Sequence, residues 1–531
     1  MAFSSLYIGA TGISALGDGM QVISNNLANV NTTGFKRSDT QFQTLISQQM
    51  ATGSNPAGTS STSVSQKGMG VTVGGVKTSF LQGGFDVTRT ATDLAISGNG
   101  FFGVLDDDSG DMLYTRDGTF RFDKEGYLRS AQGYLVQGAS IDRETGAVGS
   151  IAGIQLQLEE YTNAVGDTAE AVFSDPRATT GILLSTNLDS TASDRVTDSS
   201  DPFFAMFKNW NGLADNPMES ATYTTSMKVF DENGASHDLT YYFDQVNTDS
   251  FSSSTPGYSY WEYVVGMDPD EDGRALFQGT SSAGLLSMGT LSFNKDGLLI
   301  SQTAFGLSAA GADPTSLSNW SQAAFDAEGR VAFDVAFGGS GASASTGQTI
   351  GYSLGLISSN GTWGAGSASN ASMVGASASS LQGMESKVRD IYGTTNYAAG
   401  SNTKIANQDG YTRGFLEEIY MGDNGTMFGS FSNGQDEGLF KVGVYRFNSE
   451  YGLRREGGNL FRETTESGKA IEGFAEEGGR GSIYGSSLEQ SNVDMADQFV
   501  RMILNQRGYQ SNTKVITTSD SILQTAISIK R

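Results

Sequence analysis

The sequence of 531 residues contains no cysteine, which excludes disulfide bonds, zinc sites with thiolate ligands and cysteine nucleophiles. A single histidine, His237, excludes metal sites built from several histidines and most histidine-based catalysis. Basic residues are scarce, with 33 Lys and Arg against 58 Asp and Glu and a net charge of -25, so a nucleic-acid-binding protein is disfavoured. Since no nucleophile, acid/base pair or metal cluster stands out either, we expect no enzyme and no cofactor.

Long apolar runs and an early basic segment are also missing. No stretch approaches the 18 apolar residues of a membrane-spanning helix, so we expect no membrane insertion. The first basic residue is Lys36, whereas a cleavable signal peptide starts with basic residues. We therefore expect a protein that is cytosolic or exported by another route.

The composition favours a turn-rich β protein, with 69 glycines and 17% charged residues. Runs such as Leu113–Phe120 and Arg121–Leu128 alternate in polarity around glycine, as β-hairpins do, and Tyr223–Phe243 holds two strands around a turn that ends at Gly234. Residues 41–487 carry a charge of -26, whereas the two ends are close to neutral. This pattern predicts an acidic β-rich middle and ends that pack against each other.

Residues 4–30 show the seven-residue apolar repeat of a coiled-coil seam. The repeat has two columns, formed by Leu6, Ile13, Met20 and Leu27 and by Leu16, Ile23 and Val30. Helix propensity is lowered by Gly9, Gly12, Gly17 and Gly19, at a cost on the order of 4 kcal/mol relative to alanine. We therefore expect a helix that needs partners along its whole seam.

The C-terminal segment predicts a second helix, which begins near a capping box formed by Ser491 and Asp494. Its apolar stripe contains Val493, Val500, Ile503, Leu504, Val515, Ile522 and Ile529. Two helices of an ordinary bundle are the alternative to a coiled-coil seam.

Two motifs in the middle of the chain suggest ligand sites, but turns explain them better. Gly98–Gly103 has the spacing of a dinucleotide-binding loop, yet a strand-like run follows it where that site needs a helix. Asp268–Gly273 begins like a calcium-binding loop, but its twelfth position is Gly279 instead of glutamate. A buried core and a sugar-binding face are both open for the four tryptophans, Trp210, Trp261, Trp320 and Trp363.

Several longer motifs together resemble the signatures of bacterial flagellar axial proteins. Asn26–Lys36, with the sequence NLANVNTTGFK, resembles the N-terminal signature, and Leu488–Met495 with Gln506–Lys514 resembles the closing helix. Asp93–Phe102 and Tyr114–Phe120 resemble the inner β domain of rod and hook proteins. The large insertion that follows resembles the outer domain of the hook members of the family.

The resemblance implies a fold class and domain boundaries. We expect mainly β inner and outer domains, antiparallel and hairpin-rich, with a discontinuous α-helical coiled-coil domain formed by the N- and C-terminal helices. The expected domains are a helical domain at 1–40 with 488–531, a linker at 41–70, an inner β domain at 71–147 with 400–487, and an outer β domain at 148–399 with room for an added subdomain.

The resemblance also implies a function. It implies a structural subunit that polymerises into a curved tube, the universal joint between rod and filament, with both apolar stripes as the polymerisation interface. The implied partners are neighbouring copies, a distal rod protein, a hook cap protein, a hook–filament junction protein and the flagellar type III export apparatus, which would place the protein outside the cell without a cleaved signal peptide. The alternatives are another axial role, in the distal rod or the hook–filament junction, and a secreted carbohydrate-binding or adhesin protein.

Overall fold

The computed structural model describes residues 2–50, 65–143, 145–162, 166–307, 313–338, 347–381 and 383–529. The chain divides into two compact units. The terminal unit comprises Met1–Phe173 and Phe415–Arg531, and the central unit comprises Ser174–Gly414.

Within the described ranges the chain forms three α-helices and 35 strands. The helices are α1 (Ala2–Ala28), α2 (Ala205–Asn209) and α3 (Met495–Ile529). The strands before residue 175 are β1 (Ser38–Thr44), β2 (Gln48–Met50), β3 (Ser65–Lys67), β4 (Val71–Thr78), β5 (Phe85–Val87), β6 (Leu94–Ser97), β7 (Phe101–Leu105), β8 (Met112–Thr115), β9 (Phe120–Phe122), β10 (Leu128–Ser130), β11 (Leu135–Ile141), β12 (Val148–Gly153), β13 (Glu159–Thr162), β14 (Thr168–Ala171) and β15 (Phe173–Ser174).

The central strands are β16 (Gly181–Asn187), β17 (Tyr223–Phe230), β18 (Ser236–Val246), β19 (Ser259–Met267), β20 (Leu285–Phe293), β21 (Leu299–Leu307), β22 (Trp320–Gln322), β23 (Val331–Val335), β24 (Gln348–Ser353), β25 (Leu356–Ser358), β26 (Lys387–Arg389) and β27 (Asn402–Gln408). The strands after them are β28 (Gly414–Met421), β29 (Thr426–Phe431), β30 (Asp436–Val442), β31 (Val444–Tyr445), β32 (Arg454–Gly457), β33 (Leu460–Arg462), β34 (Ser482–Gly485) and β35 (Ser487–Glu489). Short 3₁₀ turns occur at Thr248–Ser250, Pro269–Glu271, Leu317–Asn319, Ala371–Met373, Ala378–Ser380 and Glu450–Gly452.

The predicted fold class is confirmed, since the structure is mainly antiparallel β with helices at both ends. In the terminal unit, β7 pairs with β8, and Phe102 on β7 stacks edge-on against Phe120 on β9, both fully buried. The predicted turn at Gly98–Gly103 is also present: Gly98 and Gly100 have positive φ angles, and strand β7 follows at once. No helix N-terminus is present there for a phosphate.

A β-hairpin occupies part of the segment for which the composition predicts a linker. Strand β1 pairs with β4 from Ser38, which faces Thr78, to Thr44, which faces Val71. Strands β2 and β3 continue the ladder towards residues 51–64, which lie outside the described residues. Strand β4 lies just after the predicted linker, and its β-branched residues explain why the first residues of the linker pair with it instead of remaining irregular.

The central unit contains a six-stranded antiparallel meander, β17 to β22, and a four-stranded sheet in the order β23, β24, β16, β27. The predicted hairpin is confirmed, with Tyr223 opposite Phe243 and Gly234 in the turn at φ +80. One face of the meander packs with the four-stranded sheet around Trp261 and Tyr352, and its other face is covered by α2 and by Trp320. Because both faces are covered, strand β20 is buried at every position and its burial does not alternate.

The two compact units divide at 173/174 and 414/415, whereas the expected inner and outer domains divide at 147/148 and 399/400. Strand β12 explains the first difference, because it pairs with β11 of the terminal unit. In the central unit, residues 331–353 contribute β23 and β24 to the same sheet as β16. The four-domain division itself stays a prediction.

Burial of the tryptophans weighs against a sugar-binding face. Trp210, Trp261 and Trp320 are 5%, 0% and 0% exposed, and Trp363 packs partly buried against the same core. The remaining candidate ligand residues have protein partners: Asp272 pairs with Arg274 at 2.8 Å, and His237 stacks on Phe337 with its Nδ1 2.9 Å from Glu271. None of the described helices is long and apolar enough to cross a membrane.

Two buried carboxyl groups face each other on neighbouring strands of the meander. Asp244 on β18 lies opposite Glu262 on β19, and their exposed fractions are 0% and 2%. Asp244 accepts hydrogen bonds from the backbone of Arg195 and Val196, and Glu262 accepts one from the backbone N–H of Met206. Burial raises the pKa of Asp244 and raises that of Glu262 well above its ordinary value.

A raised folded-state pKa makes stability depend on pH with a defined sign. The neutral carboxyl contributes to the free energy of unfolding because the folded chain holds its proton more tightly than the unfolded chain. This contribution is fully present below the ordinary pKa and is lost as pH rises towards the folded-state pKa. A tenfold difference in proton affinity corresponds to about 1.4 kcal/mol. Stability of the central unit should therefore fall as pH rises above the ordinary pKa of a glutamate, about 4.

We expect Glu262→Gln to remove much of that fall, because glutamine keeps an oxygen for the Met206 N–H and cannot ionise. The variant should match the unchanged chain near pH 4 and unfold at higher denaturant concentration at pH 8. Tryptophan fluorescence measures this unit alone, because all four tryptophans lie in it. The control is Asp296→Asn, at an exposed carboxyl of the same unit. Equal pH dependence in both variants would contradict the expectation.

Candidate assembly surface

Helices α1 and α3 pack against each other in antiparallel orientation. Ser5 Oγ lies 3.1 Å from Ser519 Oγ near the start of the chain. At the other end of the contact, Asn26 Nδ2 donates to Gln498 Oε1 at 3.1 Å. The pairing predicted for the two ends is therefore present within one chain.

The contact is built from glycines on α1 and amide side chains on α3. A Cβ atom on Gly12 would lie 2.7 Å from Asn512 Nδ2, and one on Gly19 would lie 3.1 Å from Asn505 Nδ2. At one position the glycine belongs to α3 and the larger side chain to α1: a Cβ on Gly508 would lie 3.1 Å from Leu16. The glycines that lower helix propensity thus let the two helices approach closely. Gly17 differs, because nothing lies within 4 Å of its Cβ position.

The contact face of α3 is a polar column with seven-residue spacing. It contains Gln498, Asn505, Asn512 and Ser519. Gln498 and Ser519 are buried, and the other two are half-buried. Sequence reasoning missed this column because only apolar residues were used to find the seam, although the same repeat of small and amide residues was visible in the sequence.

The predicted apolar stripe of α3 faces away from α1. At 100° per residue it is centred about 120° around the helix from the polar column. The exposed fractions are 56% for Val500, 50% for Ile503, 62% for Leu504, 44% for Val515, 57% for Ile522 and 79% for Ile529. Val493 lies just before the helix and is buried. The expectation that these residues form a polymerisation interface stays a prediction, and within the chain only α1 uses part of its seam on α3.

The predicted seam of α1 is partly covered. Ile23 is 7% exposed, and Leu16 lies against Gly508. Half-buried positions are found for Leu6, Ile13, Met20 and Leu27. Val30 lies beyond the helix, which ends at Ala28 because Asn29 starts a turn that leads to Gly34, with φ +67. A Cβ on Gly34 would lie 2.6 Å from the backbone N of Asp117, so only glycine fits there.

A buried ion network links the ends of the two helices to the β domain. Lys36 Nζ lies 2.7 Å from Glu489 Oε1, and Arg116 donates to Glu489 Oε2 at 3.3 Å. Their side chains are 1%, 0% and 3% exposed. The backbone N–H of Gly83 donates to the same carboxylate at 2.9 Å, and the Leu81 carbonyl accepts from Lys36 at 3.0 Å.

This network holds two cations and one anion away from water. Burial lowers the pKa values of both Lys36 and Arg116, and the Glu489 carboxylate opposes that effect. Arg116 also donates to the carbonyls of Ile96 and Gly98, at 3.3 and 2.8 Å. Lys36 closes the N-terminal signature and Glu489 belongs to the C-terminal one, so the network explains why these two motifs are charged at those positions.

Two asparagines of the same signatures fix the backbone on either side of the network. Asn26 is 1% exposed, donates to the Ser38 carbonyl at 2.7 Å and accepts from the Ser38 N–H at 2.9 Å. Asn492 accepts from the Arg37 N–H at 2.7 Å and donates to the carbonyls of Ser79 and Leu81. Both residues therefore serve as connectors between segments. Among the residues that the structure describes, no group of acidic residues and histidine has the arrangement of a metal site.

Four family models match the chain in order. Residues 6–36 match the model described as Flagella basal body rod protein, and residues 95–166 match Flagellar hook protein FlgE/F/G D1 domain. Residues 187–411 match Flagellar basal body protein FlaE D2 domain, and residues 485–529 match Flagellar basal body rod FlgEFG protein C-terminal. The segments that resemble the family in sequence lie largely within these ranges.

Individual relatives match over the full length. The flagellar hook protein FlgE of Treponema pallidum is 28% identical over 99% of both chains, and that of Borreliella burgdorferi is 29% identical over 99% of both. The FlgE of Salmonella typhimurium is 28% identical over the whole of both chains. The crystal structure of Helicobacter pylori FlgE2 aligns at 15% identity over 76% of this chain and 100% of that one, with a TM-score of 0.41.

We expect substitutions of different residues in the ion network to lower the free energy of unfolding by different amounts. Glu489→Gln leaves two buried cations without a counter-charge, so we expect a loss of roughly 3–5 kcal/mol in the free energy of unfolding of the terminal unit. Lys36→Met keeps the Arg116–Glu489 pair and should cost clearly less. Circular dichroism at 222 nm measures this unit, since α1 and α3 contain nearly all of the described helix. A larger loss for Lys36→Met would contradict this account.

The close helix contact predicts opposite effects for two glycines of α1. Gly12→Leu should push the helices apart and lower the free energy of unfolding by about 1–3 kcal/mol. Gly17→Leu should leave it unchanged or raise it by up to about 1 kcal/mol, because the site is open and leucine favours helix. Denaturant titration followed at 222 nm compares them. Equal losses at both positions would show that the contact does not depend on close approach.

Proposed function

The chain belongs to the bacterial flagellar hook protein family, and from this premise we propose that the exposed apolar stripe of α3 is the surface through which its subunits polymerise. The function of the chain is that of a structural subunit of the flagellar hook, a homopolymer that joins rod to filament. The observation that carries the proposal is the exposure of Leu504 and its neighbours on a helix that is already paired in the single chain.

An apolar stripe along a helix needs a partner. The stripe extends from Val500 to Ile529, which is roughly 44 Å at 1.5 Å per residue. Exposed apolar surface of this extent marks a protein contact in a soluble chain. The α1 residues Leu6, Ile13, Met20, Leu27 and Val30 complete the proposed surface, because they keep part of their area exposed.

The proposal extends to the neighbours of the hook. Residues 6–36 and 485–529 match models described for basal body rod proteins. Such shared ends support an inner helical layer that continues from a distal rod protein into the hook and on to a hook–filament junction protein. The cap protein and the type III export apparatus are further proposed partners, with export from the cell without a cleaved signal peptide.

The alternatives have less support. The tryptophans do not support a carbohydrate-binding or adhesin protein, because Trp261 and Trp320 are fully buried in the central unit. A distal rod or junction role does not account for the relatives that match over the full length, which are hook proteins.

A charge on the stripe tests the proposal. In cells that lack this gene, Leu504→Asp should leave the exported subunit folded and abolish hook assembly, because an ionised aspartate cannot be buried unpaired in an apolar interface. Gln506→Asp is the control, at an exposed polar position of the same helix. Electron microscopy of isolated basal bodies scores the hooks. Normal hooks with Leu504→Asp would refute the proposed interface, and hooks in cells without the gene would refute the function.

A further inference from the structure

A cavity of the central unit has two cations in its lining and, among the residues that the structure describes, no carboxylate. Its volume is about 490 Å³. Lys387 and Arg389 alternate with Val388 along strand β26, so both lie on the same face of the strand and line the cavity. In a chain with a net charge of -25, such a local excess of positive charge indicates a site for an anion.

The acidic residues nearest in sequence do not neutralise these cations. Glu385 accepts a hydrogen bond from the Thr362 hydroxyl at 3.1 Å, and Asp390 accepts one from the Tyr392 N–H at 3.1 Å. Neither cation of the cavity takes part in an ion pair within the described ranges. Partial burial lowers the pKa of Lys387, and no carboxylate opposes that effect. The positive charge is therefore available to a ligand.

Hydrogen-bond donors complete the polar part of the lining. The hydroxyls of Tyr258 and Ser292 have no partner in the part of the chain that the structure describes. Ser292 is 4% exposed, and a buried hydroxyl is costly unless a bound molecule or a water pairs with it. The Asn294 side chain uses its oxygen to accept from the N–H groups of Asp296 and Leu298, at 3.1 and 2.9 Å, so its amino group remains for a ligand.

The rest of the lining is largely apolar. Leu299, Leu356 and Leu381 contribute to it and are 1%, 2% and 5% exposed. The volume lies in the range of cavities that hold small organic ligands, well beyond the needs of a single inorganic oxyanion. Cations, neutral donors and leucines in one cavity suit a molecule with an anionic group, hydroxyl groups and a carbon skeleton.

We propose that this cavity binds an organic anion, a small molecule that carries a phosphate or carboxylate group on a hydroxylated body. Lys387 and Arg389 bind the oxyanion, because a guanidinium offers parallel N–H donors to two oxygens of one group. Ser292 and Asn294 donate to hydroxyl oxygens of the body, and the leucines pack against its carbon atoms. The site is independent of the proposed polymerisation surface, since its lining belongs to the central unit.

Calorimetric titration of the purified full-length subunit tests the site. Glucose 6-phosphate and glucuronate should bind at millimolar concentrations, glucose about tenfold more weakly, and inorganic phosphate more weakly than glucose 6-phosphate. The variant Lys387→Gln/Arg389→Gln should weaken binding of the anionic sugars about tenfold, because it removes the charge at nearly constant size. The matched control is Lys295→Gln, at an exposed lysine outside the lining, which should bind as the unchanged chain does.

Each contrary result overturns a stated part of the proposal. The site is overturned if neither anionic sugar binds. Equal binding of glucose overturns the role of the cations, and equal binding of inorganic phosphate overturns the role of the organic body. An equal loss in Lys295→Gln shows attraction to any surface cation and also overturns the site.

Pyridoxal phosphate provides a second measurement, because it is an organic phosphate whose aldehyde reacts with amines. The Lys387 amine and the aldehyde form an imine and release water, and borohydride then delivers hydride to the imine carbon and leaves a stable secondary amine. Peptide mapping should show faster labelling of Lys387 than of Lys295, and excess glucose 6-phosphate should protect Lys387. Equal labelling of the two lysines, or labelling without protection, overturns the site.

Discussion

The terminal unit depends on one buried carboxylate. Glu489 is the shared counter-ion of Lys36 and Arg116 in a place that water does not reach, and it thereby joins three segments that are far apart in sequence. Separating any of them leaves a buried charge unpaired, which is far more costly than losing an exposed salt bridge. Because Lys36 follows α1 closely and Glu489 shortly precedes α3, the network brings the end of the first helix to the start of the last. The antiparallel direction of the helix pair follows from it.

The helix pair then decides which surface remains for assembly. Glycines on α1 lie mainly against amide side chains on α3, and Gly9 against Ile516, so the two backbones come close together without using the exposed apolar stripe of α3. An apolar seam would have buried Leu504 and Ile522 inside the chain. The polar seam leaves them exposed, so the folded subunit carries a continuous apolar surface. Low helix propensity in α1 is therefore compatible with a specific contact, because Gly9, Gly12 and Gly19 each lie against a residue of α3.

Much of the fold follows from local sequence patterns. The two terminal helices and the hairpin at Gly234 were predicted because period and turn residues act over short distances. The apolar stripe of α3 was predicted in the same way. Periodicity shows that one face of a helix is apolar, but it does not identify the surface against which that face packs. The ion network could not be predicted, since lysine and glutamate are usually exposed and the pairing of Lys36 with Glu489 spans the whole chain.

Formation of the helix pair requires both ends of the chain. Asn26 and Gln498 are 472 positions apart, so their contact closes a loop that contains nearly the entire chain. Closure of such a loop is slow compared with local pairing, and it requires the last residues to be present. A chain that stops short of Glu489 lacks the counter-ion, the polar seam and the apolar stripe of α3 at once. Such a chain cannot form the helix pair, so one contact makes the fold of the terminal unit depend on both ends of the sequence.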